Sequence, residues 1–407
     1  MESPSTAVVT GIGAVSAFGW TLDELARGLR SGRTAIEPAR RLDVGGHRTR
    51  IAGEVPDPPP AVAADVPGWH RLTWAERFAI VAADQAIARA GLVIDGPRTA
   101  LTFGGSAAGM AECEGWFGRL LGLVDDRPRA RDLAGQQINA PGDAVARHLG
   151  VRGPVLTLSS ACSSGGLAVG TALDLIRAGT ADVVIAGGAD ALCQLTYGGF
   201  NSLRSVSVEP SRPFRTDRDG LSLGEGAGVL VVESQAHAAA RGAEVLARLV
   251  GWGSTCDAHH MTAPHPEGAG AASAIAAGLA DAGLEADTVS FINAHGTGTP
   301  LNDDAEAHAL RAVFGRRTAA LPVTAPKGAL GHLLGASGAI EAVAVVLALA
   351  DGAVQPTAGA ASSDPDLGVD LVIGAPRPLP AGAVGVSTSL AFGGANAAVV
   401  FAAPERP

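Results

Sequence analysis

Lysine is almost missing from this chain: Lys327 is the only one among 30 Lys and Arg residues. Where arginine has been accepted at every other basic position, one retained ammonium either marks a place where the two side chains are not interchangeable or is a lysine that survives by chance. Aromatic residues reach only 4%, so a core must be built by close packing of Ala, Val, Leu and Gly. Charge is also scarce, at 17% of residues, and the net charge of −10 excludes a basic nucleic-acid surface. The four cysteines, Cys113, Cys162, Cys193 and Cys256, are scattered and form no CxxC pair. That pattern argues against a disulfide framework or a zinc site. No apolar run reaches the ~18–20 uninterrupted residues that a membrane span requires. The richest stretch, Ala339 to Ala350, is interrupted by Glu341. The first residues lack a basic region followed by an apolar one, so no secretory signal is read and a cytoplasmic location is expected.

What is present is length and apolar mass. With 407 residues and 47% hydrophobic content, the chain suits two domains or one large duplicated core. Short β-branched runs alternate with longer Ala/Leu-periodic segments, the pattern of an α/β protein. Strands are expected at Val8–Gly11, Thr99–Phe103, Val155–Leu158, Val183–Ala186, Ala227–Val232, Val245–Gly253, Val289–Ile292, Val384–Ser387 and Ala397–Phe401. Helices are expected at Leu22–Ser31, Thr73–Ala90, Ile138–His148, Gly166–Ala178, Ala271–Ala282, Ala305–Val313 and Ala339–Ala350. The proline-rich stretch from Pro38 to Pro67 reads as a surface loop. No linker divides the chain cleanly. The turn-rich stretch Cys256–Gly268 suggests a midpoint, giving halves at 1–253 and 254–407.

Four segments carry chemistry. In Leu156–Gly170 a β run ends, Cys162 follows, and small residues open a helix. A sulfur at a helix N-terminus is favoured as thiolate, and the N–H groups there can hold an oxyanion. The same position suits a small buried cysteine, and both readings stand on the residues alone. The hydrolase GxSxG elbow is absent. In Asn293–Glu306 an expected strand delivers His295 into a loop of Gly and Thr, a loop able to approach a ligand closely. A satisfied structural histidine is the other reading. In Lys327–Glu341 the sole lysine stands five residues before His332, which precedes an apolar helix. In Ser387–Asn396 a strand ends at Phe392 and a Gly-Gly turn, where the aromatic serves as core or as gate. Gly11, Gly13 and Gly19 miss the GxGxxG spacing of a dinucleotide site, and no acidic residue follows at the required distance.

In this order the four segments resemble the β-ketoacyl synthase family, specifically the ketoacyl synthase II branch that works with discrete acyl carrier proteins. Val9–Ser16, Arg212–Gly220, Gly224–Gly228 and Asp257–Pro264 are similar to family segments as well, so the resemblance runs nearly end to end. It implies a thiolase-like fold, with duplicated βαβαβ halves in a five-layered α-β-α-β-α core and a dimer as the working unit. The first half would carry the nucleophile and the second both catalytic histidines. By motif, Cys162 would accept an acyl chain as a thioester. His295 and His332 would hold the carbonyl of a malonyl thioester, assist its decarboxylation and stabilise the enolate. The N–H groups of Cys162 and Phe392 would bind the oxyanion of the condensation. Lys327 and Glu306 match a supporting charged pair that orients His332. Thr262, Thr297 and Thr299 match positions touching a phosphopantetheine arm, and Leu390 and Gly393 belong to the gating loop. No cofactor is implied beyond that arm, which the carrier protein brings. The expected partners are an acyl carrier protein and an identical or homologous subunit, with no nucleic acid or membrane. The sequence departs from the family at Leu390, where an aromatic is usual, and at Ala391, where glycine is usual. Two rivals to a ketosynthase remain: a chain-length-factor-like subunit, and a thiolase-like enzyme acting on coenzyme A esters.

Overall fold

The computed structural model describes residues 6–123 and 125–404. Eleven strands form one continuous sheet: β1 Ala7–Val15, β2 Thr99–Gly104, β3 Val155–Leu158, β4 Val183–Asp190, β5 Gly226–Ser234, β6 Ala247–Cys256, β7 Phe291–Asn293, β8 Pro322–Thr324, β9 Asp370–Leu371, β10 Val384–Leu390 and β11 Ala395–Ala402. Their spatial order is β9-β8-β7-β10-β11-β6-β1-β5-β4-β2-β3. The two halves meet at β1 and β6, through the pairs Ala7–Leu249, Val8–Arg248 and Val9–Ala247. Outward from that seam each half repeats one sequence of pairings. β5 and β4 follow β1 antiparallel and β2 and β3 join parallel, just as β11 and β10 follow β6 and β7 and β8 join. This repeat is the duplication that the sequence similarity implied.

Helices complete the layers. Trp74–Ala90 packs on the outer face of β1 and β5, and Ala269–Ala282 packs on β6 and β11. Ser164–Arg177 and Ser337–Asp351 lie between the halves, touching each other and strands of both. The second of these is the apolar stretch of the sequence, and its buried faces on all sides account for its composition. Small residues set the spacing. A Cβ on Gly13 would lie 2.0 Å from the carbonyl oxygen of Ala82, so the outer helix rests on the bare backbone of β1. Gly11 and Gly13 thus serve packing, not a nucleotide. A Cβ on Gly338 would lie 2.4 Å from the nitrogen of Gly166, so the two central helices meet backbone to backbone.

Some expectations need correction. The boundary placed between 253 and 254 falls inside β6, whose pairing with β11 runs from Cys256 to Arg248. The stretch from Pro38 to Pro67 holds a helix, Pro60–Asp65, and the strand Ile51–Ala52 pairs with Glu37–Pro38. Helices Met110–Leu120 and Gln194–Ser202 were not expected; Gly115, Gly198 and Gly199 hide them from propensity. The helix placed at Ile138–His148 runs Ala140–Leu149, with Pro141 in its first turn.

Candidate active site

β3 is an edge strand, and its continuation turns sharply at Ala161, which holds φ at 46°. Hydroxyls lock that turn. Ser163 Oγ donates to the carbonyl of Ser160 at 2.8 Å, and Ser164 Oγ accepts from the Ser160 N–H at 2.8 Å. Cys162 follows, 7% exposed, and lines a cleft of about 310 Å³. Burial pushes its thiol up to about 11, against the pull of the Lys327 charge and the Phe392 N–H. Of the two readings open from the residues, this direction favours the buried thiol over the thiolate. The helix begins only at Ser164, so Cys162 lies outside its first turn, and desolvation dominates.

His295 leaves the end of β7. Its backbone N–H donates to Glu306 Oε1 at 2.8 Å and to Thr388 Oγ1 at 3.0 Å. Glu306 Oε2 accepts from the Gly296 N–H at 2.8 Å, and Thr388 Oγ1 donates to Glu306 Oε1 at 2.7 Å. Glu306, on helix Pro300–Phe314, therefore anchors the histidine loop by its backbone. It does not pair with Lys327, as the sequence similarity had suggested. The Lys327 ammonium is 2% exposed and uses all three donors: on Glu341, on the His295 carbonyl at 2.7 Å, and on His295 Nδ1 at 3.1 Å. Its contact is with His295, and the expected orientation of His332 by this lysine is not what the geometry gives. Burial pushes the Glu341 carboxyl upward, and Lys327 opposes that shift.

His332 is fixed by other groups. Its Nδ1 accepts from the Leu334 N–H at 3.2 Å and lies 2.8 Å from Ser337 Oγ. The rings of His295 and His332 are 5.2 Å apart and nearly perpendicular. Burial and the Lys327 charge hold both imidazoles well below the ordinary histidine range, so both are neutral. Because an N–H occupies each Nδ1 as acceptor, each ring carries its proton on Nε2. Both rings line the same cleft as Cys162, and two neutral N–H donors there can stabilise an oxygen that gains negative charge.

The rim gathers the remaining expected residues. Thr262, Thr297, Thr299, Leu390 and Phe392 line the cleft, with Thr297 and Thr299 hydroxyls 2.9 Å apart. Phe392 stacks on Phe200 at 5.4 Å. Gly393 holds φ at 84° in the turn beside it and donates to the Met261 carbonyl at 2.8 Å. Leu390 packs with Ala271 and Ala309. Sequence reasoning missed Glu341, Ser337, Thr388 and Phe200. Glu341 had left a signal, as the one acid within the apolar stretch Ala339–Ala350.

A duplicated sheet around two buried helices thus brings Cys162, His295 and His332 to one cleft. The family models for the β-ketoacyl synthase N-terminal domain and C-terminal domain match residues 5–238 and 246–361. The chain is 39% identical to 3-oxoacyl-[acyl-carrier-protein] synthase 2 of Synechocystis, over 97% of each protein. The structure of the ishigamide ketosynthase/chain length factor superposes with a TM-score of 0.93 at 33% identity, covering 99% of this chain and 100% of that one. A type II PKS acyl-carrier protein in complex with its ketosynthase bound to the hexaketide gives 0.89 at 29% identity, covering 99% and 100%. The chain belongs to the β-ketoacyl synthase family and is a condensing acyltransferase.

Proposed function

We propose that the chain elongates a thioester-bound acyl group by decarboxylative Claisen condensation, with Cys162 as nucleophile. The single observation behind this is that a donor sits on Nδ1 of both His295 and His332, leaving Nε2 of each for the cleft they share with buried Cys162. Cys162 sulfur attacks the acyl carbonyl, the carrier thiol leaves, and the cysteine proton passes to that thiol. The N–H groups of Cys162 and Phe392 receive the transient oxyanion. A malonyl thioester then enters with its carbonyl oxygen on the two histidines. Its C–C bond to the carboxylate breaks, carbon dioxide leaves, and the enolate oxygen is held by the two N–H donors. The enolate carbon attacks the acyl-Cys162 carbonyl, and Cys162 leaves as a thiolate as the new carbon–carbon bond forms, then takes a proton from water to restore the thiol. The product is a β-ketoacyl thioester on the carrier.

The working partners in this reading are an acyl carrier protein, whose phosphopantetheine arm enters past Thr262, Thr297 and Thr299, and a second subunit. Val155 and Leu156 on the edge strand β3 are 37% and 39% exposed, a free apolar edge suited to pairing across a dimer. The protein needs no other cofactor and works in the cytoplasm. The Ala/Gly/Arg-rich composition and the altered gate at Leu390 and Ala391 favour a type II polyketide or polyene pathway over fatty acid synthesis. A chain-length-factor-like role is disfavoured by the intact Cys162, His295 and His332, and a thiolase-like role by the His/His pair in place of Cys/His. Products formed with malonyl-carrier protein and a ladder of acyl starters, read by mass spectrometry, test the reading. A two-carbon-longer β-ketoacyl product supports it, and no acyl adduct on Cys162 overturns it.

A further inference from the structure

Asp190 ends β4 with no exposed surface, and nothing in the reaction above employs it. Its Oδ1 accepts from the N–H groups of Ser106 at 3.0 Å, Ala107 at 2.7 Å and Ala108 at 2.9 Å. Its Oδ2 accepts from the Ser106 N–H at 3.0 Å, the Ser106 hydroxyl at 2.9 Å and the Gly335 N–H at 2.7 Å. One carboxylate thus ties the loop after β2, in the first half, to the turn after His332 in the second. Both turns are strained where it grips them. Ala108 holds φ at 45° and Leu334 holds φ at 52°, conformations that side chains with a Cβ adopt only when their surroundings impose them. Leu334 is the residue whose own N–H caps His332 Nδ1.

We infer that Asp190 is a positioning residue for His332. By holding the Gly335 N–H it keeps Leu334 left-handed, and so keeps the Leu334 N–H on Nδ1 and the His332 proton on Nε2, facing the cleft. A carboxylate is required because every group around it donates. An asparagine at this place keeps one accepting oxygen and turns an NH2 against the other set of N–H groups. Ser106 Oγ, 3.0 Å from the Gly335 nitrogen, reinforces the same clamp.

The inference rests on the proposed role of His332 in malonyl decarboxylation, and the test separates the two. In the full chain, Asp190→Asn is expected to slow decarboxylation of malonyl-carrier protein by ~10-fold or more. Acylation of Cys162 by an acyl thioester should stay within ~3-fold of wild type, since it does not need the histidine. Histidine ¹⁵N spectra should show His332 protonated on Nε2 in wild type and mixed between the two nitrogens in the variant. Ser106→Ala, a milder change, should move both readouts the same way by less, should Asp190→Asn not fold. A wild-type spectrum with the His332 proton on Nδ1 overturns the inference without any variant. So does a folded Asp190→Asn with unaltered tautomer, whether both rates are unchanged or both fall together. If the wild type does not decarboxylate at all, the proposed function fails, and the tautomer still decides the role of Asp190.

Discussion

Lys327 donates to Nδ1 of His295 at 3.1 Å, and that contact decides which nitrogen of the ring carries the proton. The ammonium also donates to the His295 carbonyl and to Glu341, so every one of its protons has an acceptor.

A planar guanidinium cannot reproduce three donors diverging from one compact nitrogen. Lys327→Arg should therefore lose well over ~10-fold in condensation, more than ~1.4 kcal/mol of barrier, while circular dichroism shows it folded. A folded variant with wild-type turnover would reduce the lone lysine to an accident of composition.

The Lys327–Glu341 pair is buried on both sides, at 2% and 1% side-chain exposure. Removing one partner of such a pair typically costs ~3–5 kcal/mol, whereas replacing both with apolar groups is often tolerated. Urea midpoints should fall clearly for Lys327→Met and for Glu341→Leu, and recover in the double variant, which stays inactive. Single variants as stable as wild type would show that the pair is not what holds the lysine.

This pairing also shows where sequence reading stopped. Cys162, His295 and His332 were legible because each stands in a dense local motif, and Lys327 because no other lysine competes with it. Its partner was not. Glu306 lies in the histidine motif and drew the assignment, but the path of the chain from Lys327 into helix Ser337–Asp351 brings Glu341 to the ammonium, fourteen residues away. The strained turn at Leu334 was equally hidden, since leucine gives no sign of a left-handed conformation. Of the fold, the alternation of strands and helices was readable. The short strands β8 and β9, at three and two residues, were not.

Cys162 offers a pH-dependent test. Its thiol is pushed up to about 11 by burial, so across pH 7–9 it is protonated and the thiolate fraction rises ~10-fold per unit. Alkylation of Cys162 by iodoacetamide, followed by peptide mass spectrometry, should climb through this range without levelling off. A plateau below pH 8 would mean that the helix and Lys327 outweigh desolvation.

The proposed reaction divides the labour: the cysteine carries the acyl chain and the two histidines break the malonyl C–C bond. Release of carbon dioxide from malonyl-carrier protein tests it directly, measured for Cys162→Ala, His295→Ala and His332→Ala. Cys162→Ala should make no β-ketoacyl product yet decarboxylate at or above the wild-type rate. Either histidine variant should lose decarboxylation while Cys162 still accepts an acyl group, seen as an intact-mass adduct. Condensation by Cys162→Ala, or undiminished carbon dioxide release by both histidine variants, would contradict that division.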